Sequence, residues 1–130
     1  MSDQIKPLTA VLTAAVATGE GVTIDVRDYS VISLQYSAEG TANSTTKIQG
    51  SLSETAPDFG EAQTSINHWD YIEVLDLEDQ ASIDGDTGIS VASDDFRNLQ
   101  LQVEQLNWIT CNVTSWTAGS VTVKATAVTD

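Results

Sequence analysis

A period of two residues narrows this chain more than any other feature. Between residues 98 and 128 three runs alternate apolar and polar side chains. Leu99, Leu101 and Val103 stand against Gln100, Gln102 and Glu104; Ile109, Cys111 and Val113 stand against Thr110, Asn112 and Thr114. Val121, Val123, Ala125 and Ala127 then oppose Thr122, Lys124 and Thr126. Successive Cβ atoms of an extended chain point to opposite faces, so such runs make half-buried strands rather than helices.

The first half of the chain carries the same signal. Val22, Ile24 and Val26 share one predicted face, as do Ile32, Leu34, Tyr36 and Ala38, while Ile48, Gly50 and Leu52 form a third inward row. Residues 71–77 and 89–92 are weaker strand candidates. Glu20-Gly21, Glu39-Gly40, Asp84-Gly85, Thr87-Gly88 and Ala118-Gly119 lie between runs, where glycine supplies the positive φ that turns need. Pro7 and Pro57 fall outside the strand candidates, as ladders that use every N–H require. The expected fold is therefore all-β: a single antiparallel β-sandwich over residues 1–130, jelly-roll-like, with about eight strands.

Two segments do not fit that pattern. In residues 1–17, Leu8, Leu12 and Val16 recur at helical spacing, but the Thr and Val content and the following glycine argue for an N-terminal extended arm or edge strand. Such an arm is able to add a strand to a neighbouring sheet. Residues 54–70 show no period and hold Pro57, Gly60 and the single histidine. An irregular stretch of that length in a compact domain usually has a function or a partner.

Composition excludes whole classes of partner. Five Lys and Arg against nineteen Asp and Glu give a formal charge of −14. Nucleic acid is held by cations that displace counterions from phosphates, and anionic membrane surfaces ask for the same charge, so neither partner is expected. Cys111 stands alone, which rules out an intrachain disulfide. Residues 1–7 show no basic stretch leading into an apolar one, so no signal peptide is read and the chain is expected to be made in the cytoplasm. Asn43 and Asn112 match a glycosylation sequon and are read as chance in a Thr-rich chain.

Residues with chemical potential are few and scattered. His68 and Asp70 are a base and an orienting carboxylate by type, yet two residues apart on no recognisable nucleophile motif, so His68 is read as a loop residue beside an anchoring Trp69. Cys111 alternates with Ile109 and Val113 and is read as a small buried hydrophobe. Asp84 and Asp86 fit the first and third positions of a Ca²⁺ loop, and they are the metal candidates. Gly88 and Ile89 then stand where a further ligand and the required glycine belong, so a plain polar turn competes with the Ca²⁺ reading. Trp69, Trp108 and Trp116 are read as core and interface residues, with a sugar-stacking platform as the alternative. No catalytic set is assembled, and the chain is expected not to be an enzyme.

Residues 108–127, WITCNVTSWTAGSVTVKATA, resemble the closing hairpin of small phage virion β-sandwich proteins, in which a strand ends in Thr-Ser-aromatic-Thr-x-Gly and returns through Val-Thr-Val. Residues 21–31, GVTIDVRDYSV, are similar to the opening strands of the same group, and residues 49–53, QGSLS, to its middle strand. The resemblance implies a non-enzymatic virion structural protein, foremost a capsid decoration or cement protein that binds and stabilises an assembled phage head. It implies a major capsid or other virion protein as partner, assembly in the host cytoplasm, and a homo-oligomer, a trimer first. The competing reading is a carbohydrate-binding or adhesion module of a tail or fibre.

Overall fold

The structure is a computed structural model that describes the backbone of residues 4–129 and the side chains of residues 10–127. It is all-β, and two long strands organise it: β4 (Val31–Ser51) and β10 (Trp108–Thr129). They pair antiparallel from Ile32↔Ala127 to Ser51↔Trp108, so each runs the length of the fold. The sequence reading has them as four strands, broken at Glu39-Gly40 and Ala118-Gly119. In the structure those dipeptides bend continuous strands instead of reversing them. Gly40 and Gly119 have φ of 83° and 84°, Thr41 has φ of 59°, and the pairing slips between Val113 and Ser120. Bulges and αL residues bend a paired ribbon without ending it. A Cβ on Gly119 would lie 2.5 Å from the Glu39 carbonyl oxygen, so only glycine lets the two strands cross the bend this closely.

On one side of the bend, β9 (Asp95–Gln102) pairs with β4 residues 31–38, while β1 (Gln4–Ala15) pairs with β10 residues 121–129. The short β6 (Val74–Asp76) and β7 (Ala81–Ile83) continue this layer beyond β9. On the other side, β2 (Gly19–Glu20) and β3 (Ile24–Asp25) flank β10, and β5 (Asp70–Tyr71) and β8 (Ile89–Val91) flank β4. Ile32, Leu34 and Tyr36 from the first layer and Ile48, Ile109 and Cys111 from the second belong to one contiguous core. The result is a sandwich-like fold whose two layers share their central strands.

Alternation places most of this core correctly. All of the inward residues in runs 30–38, 98–105, 108–114 and 120–128 whose side chains are described are buried. Val22 and Leu52 are corrections: alternation points both inward, and they are 51% and 57% exposed. Val22 lies between β2 and β3 and Leu52 just past the end of β4, so no opposing layer covers either. Of the two readings of residues 1–17, the structure shows the edge strand: residues 4–15 form β1, paired with the chain's own β10, rather than an arm reaching outward; residues 1–3 lie outside the described residues. The β1 ladder has three register shifts and contains Pro7. Irregular, proline-bearing edges resist the addition of further strands.

Candidate interaction surfaces

Residues 52–69 contain no strand, as their lack of period predicts, yet the segment is tied together by its own packing and hydrogen bonds. Phe59 and Trp69 are buried in it, their rings 6.4 Å apart, and Trp69 meets Tyr71 edge-on at 5.1 Å. The Trp69 indole N–H donates to the Glu61 carbonyl at 3.1 Å. Asn67 ties the segment to itself: its Oδ1 accepts from the Asp58 N–H at 2.7 Å, and its Nδ2 donates to the carbonyls of Asp58 and Ala62. Gln49 donates to the Phe59 carbonyl and Ser51 Oγ to the His68 carbonyl, both from the outward face of β4. Those two polar residues are buried because the loop lies over them. At its tip the loop displays Ile66, 96% exposed, in a turn closed by the Thr64 N–H to Asn67 carbonyl bond.

His68 contributes its backbone and leaves its ring exposed. The Asp70 carboxylate accepts from the Tyr71 N–H at 2.8 Å, so it is turned to its own backbone. Cys111 is fully buried among the core, and burial pushes its thiol up to about 12. A thiolate nucleophile needs the opposite shift.

The three tryptophans form no common platform. Trp69 is buried in the loop. Trp108 donates to the Ser53 carbonyl at 3.0 Å, with the Arg27 guanidinium 4.9 Å from its ring centroid. That guanidinium also pairs with Asp25 and, by hydrogen bonding, holds its carboxyl below the usual carboxylate range. Trp116 is partly exposed at the bend and donates to the Gly119 carbonyl. It pairs with Ser44 while Trp108 pairs with Ser51, so the two rings are separated along most of one half of β10.

Asp84 and Asp86 lie in the turn between β7 and β8. The Asp84 carboxylate accepts from the Thr87 N–H and hydroxyl, both at 3.3 Å, and its carbonyl accepts from the Gly88 N–H at 2.9 Å. That is the bonding of a self-closed polar turn. Gly85 is pressed so closely against the Tyr71–Ile72 peptide that a Cβ would sit 2.7 Å from it. Among the described residues, no group of three or more His, Cys, Asp or Glu side chains is arranged to hold a metal ion.

A groove of about 1100 Å³ crosses the outward face of β1, β10, β4 and β9. Ser33, Gln35, Asn98, Lys124 and Thr126 line its floor, and the 76–79 turn forms one wall. Arg97, the ladder partner of buried Tyr36, bridges Asp95 at 2.8 Å and Asp76 at 3.7 Å. Phe96, 64% exposed, stands at the rim. The sequence reading starts this strand at residue 98 and so leaves Phe96 out; carrying the alternation of Asn98 and Gln100 back by two positions places Phe96 on the outward face.

The fold has counterparts among solved structures. SPBc2 prophage-derived protein YomS superposes with a TM-score of 0.71 at 16% identity, covering 99% of this chain and 96% of that one. PBSX exported protein XepA superposes with a TM-score of 0.69 at 15% identity, covering 99% of this chain. This chain spans 39% of the length of XepA. No protein-family model and no curated protein matches the sequence. The shared feature is the fold, and it extends over essentially the whole chain.

Proposed function

We propose that the chain is a non-enzymatic structural protein of a phage virion, bound as a decoration or cement protein to the outside of an assembled head. The observation that carries this reading is the end-to-end fold match with a prophage-derived protein of nearly the same length. The resemblance of residues 108–127 to virion hairpins points the same way. The strong acidity suits a protein packed densely on a particle, because like charge opposes uncontrolled association.

The loop at residues 52–69 is the contact surface in this reading. Its backbone is fixed before binding, so docking orders few side chains, and preorganised surfaces bind at lower entropic cost. Ile66 at its tip is the apolar anchor. Shell axes present repeated sites, and a closed trimer matches a threefold arrangement of them. The glycan alternative calls for exposed tryptophan faces in one plane; Trp69 is buried, Trp108 lies beneath Arg27 and Trp116 is partly exposed by itself at the bend, which favours the virion reading.

Rebinding to stripped particles tests the proposal. Wild-type protein should rebind saturably, and Ile66→Asp should reduce occupancy while leaving the melting temperature unchanged. Absence of the protein from washed particles would overturn the virion reading. Equal occupancy by Ile66→Asp would remove the loop from the contact.

A further inference from the structure

The outward groove joins an exposed ring to unpaired charge. Phe96 lies opposite Ser37 in the β4–β9 ladder and still keeps 64% of its surface exposed. Leu77, 37% exposed, lines the same groove. Asp76 and Asp95 are already engaged by Arg97, whereas Glu78 and Asp79 have no ion-pair partner among the described residues; one Asp79 carboxylate oxygen accepts from the Ala81 N–H at 3.0 Å. Glu78 and Asp79 belong to the stretch between Lys47 and Arg97, which holds twelve of the nineteen acidic residues and neither Lys nor Arg. Lys124, the groove's other cation beside Arg97, forms no ion pair with them. Beyond the β6–β9 ladder at Leu99 and Gln100, the Leu77 N–H still donates to the Asn98 carbonyl at 3.0 Å, and the Phe96 N–H is taken by the Asp95 carboxylate at 2.9 Å, so contacts to the groove here fall to side chains.

We propose that this groove receives an extended, arginine-bearing segment of a partner protein, its guanidinium stacked on Phe96 and paired with Glu78 and Asp79. A guanidinium is planar and delocalised, so it satisfies a ring face and carboxylates together; an ammonium is a compact, strongly hydrated charge and does this less well. The floor of Gln35, Asn98, Ser33 and Thr126 supplies donors and acceptors for the segment's backbone, and Lys124 among them is a donor to its carbonyls, away from the arginine side chain. The groove is at the upper end of ligand-pocket sizes, which suits several residues of extended chain. This inference does not depend on the virion reading, since peptide binding in solution needs no particle.

The experiment titrates ¹⁵N-labelled protein with the peptide acetyl-Gly-Arg-Val-Arg-Gly-amide and with its citrulline and lysine counterparts. The arginine peptide should shift the amides of Phe96, Asn98, Lys124 and the 76–79 turn. Citrulline, which keeps the shape and removes the charge, should weaken binding by about tenfold or more, and lysine by less. Phe96→Ala and the pair Glu78→Gln with Asp79→Asn should each weaken the arginine peptide comparably, with melting temperatures confirming that the variants fold. Asp84→Asn with Asp86→Asn, on a separate acidic turn, should leave the affinity unchanged. No shift at millimolar peptide would overturn the proposal, as would equal binding of the citrulline peptide or equal loss from the Asp84 and Asp86 variant. Shifts of the same amides by maltoheptaose, with none from the peptide, would assign the groove to a glycan and overturn it too.

Discussion

The side-chain amide of Gln49 donates to the carbonyl of Phe59 at 3.0 Å and so fastens an irregular loop across the outward face of β4. Gln49 is fully buried although its position in the alternation faces solvent. Replacing it by Ala removes the bond and leaves the Phe59 carbonyl without its partner, at a cost of about 1–3 kcal/mol. Gln49→Ala should also speed amide exchange through residues 58–69 while the β4–β10 ladder stays protected. Unchanged exchange in the loop would show that Asn67 and Trp69 hold it alone.

Gly119 tests the bend. Its φ is 84°, and a Cβ there would lie 2.5 Å from the Glu39 oxygen and 2.7 Å from the Ala42 Cα, which leaves no room for a side chain. Gly119→Ala should lower the unfolding free energy by more than about 2 kcal/mol in urea, combining αL strain with the clash. Gly60→Ala is the control: its φ is not positive, and a Cβ there would meet only the carboxylate end of the exposed Glu20 side chain, which can move aside, so it should cost about 1 kcal/mol or less.

Cys111 should react with a thiol reagent far more slowly in the native protein than in the denatured one. Equal rates would contradict its burial. Its folded pKa is raised to about 12 by burial, above the ordinary value of 9.0. Between those two pH values the unfolded chain releases a proton that the folded chain retains, so stability falls as pH rises through that window. Cys111→Ala removes this contribution, and its alkaline stability limb should be shallower than that of the wild type. Tyr36, whose phenol is also pushed up by burial, adds a loss of the same sign that the Cys111 variant leaves in place.

Deleting residues 1–7 tests whether β1 belongs to the fold. Residues Gln4, Ile5, Lys6 and Pro7 pair with Thr129, Val128, Ala127 and Thr126. Losing that ladder should cost a few kcal/mol, at about 0.5–1.5 kcal/mol for each backbone hydrogen bond. A melting temperature equal to that of the full chain would show that the end of β1 contributes nothing to stability.

Most of the architecture is legible in the sequence because packing and alternation agree. Leu99 and Leu101 announce β9, and Ile109, Cys111 and Val113 announce the first half of β10, each by contrast with a polar neighbour. Continuity is what stays hidden. Glu39-Gly40 and Ala118-Gly119 have the composition of turns, and a glycine with positive φ serves a reversal or a bend equally well; the partner strand decides which. The buried polar face at Gln49 and Ser51 is equally invisible, because the covering loop comes from residues with no period. Trp69 as anchor is readable from its type and place, whereas Phe96 is lost to a strand boundary drawn two residues late.

The sharing of β4 and β10 between layers has a kinetic consequence. Neither layer owns a complete set of strands, so neither can persist as a folded unit once the other opens. Unfolding should be a single all-or-none event with no half-sandwich intermediate. The closing of β1 onto β10, with Gln4 meeting Thr129, also joins positions more than a hundred residues apart. A topology built on such distant pairings places this chain among the slow folders, in the range of milliseconds to seconds.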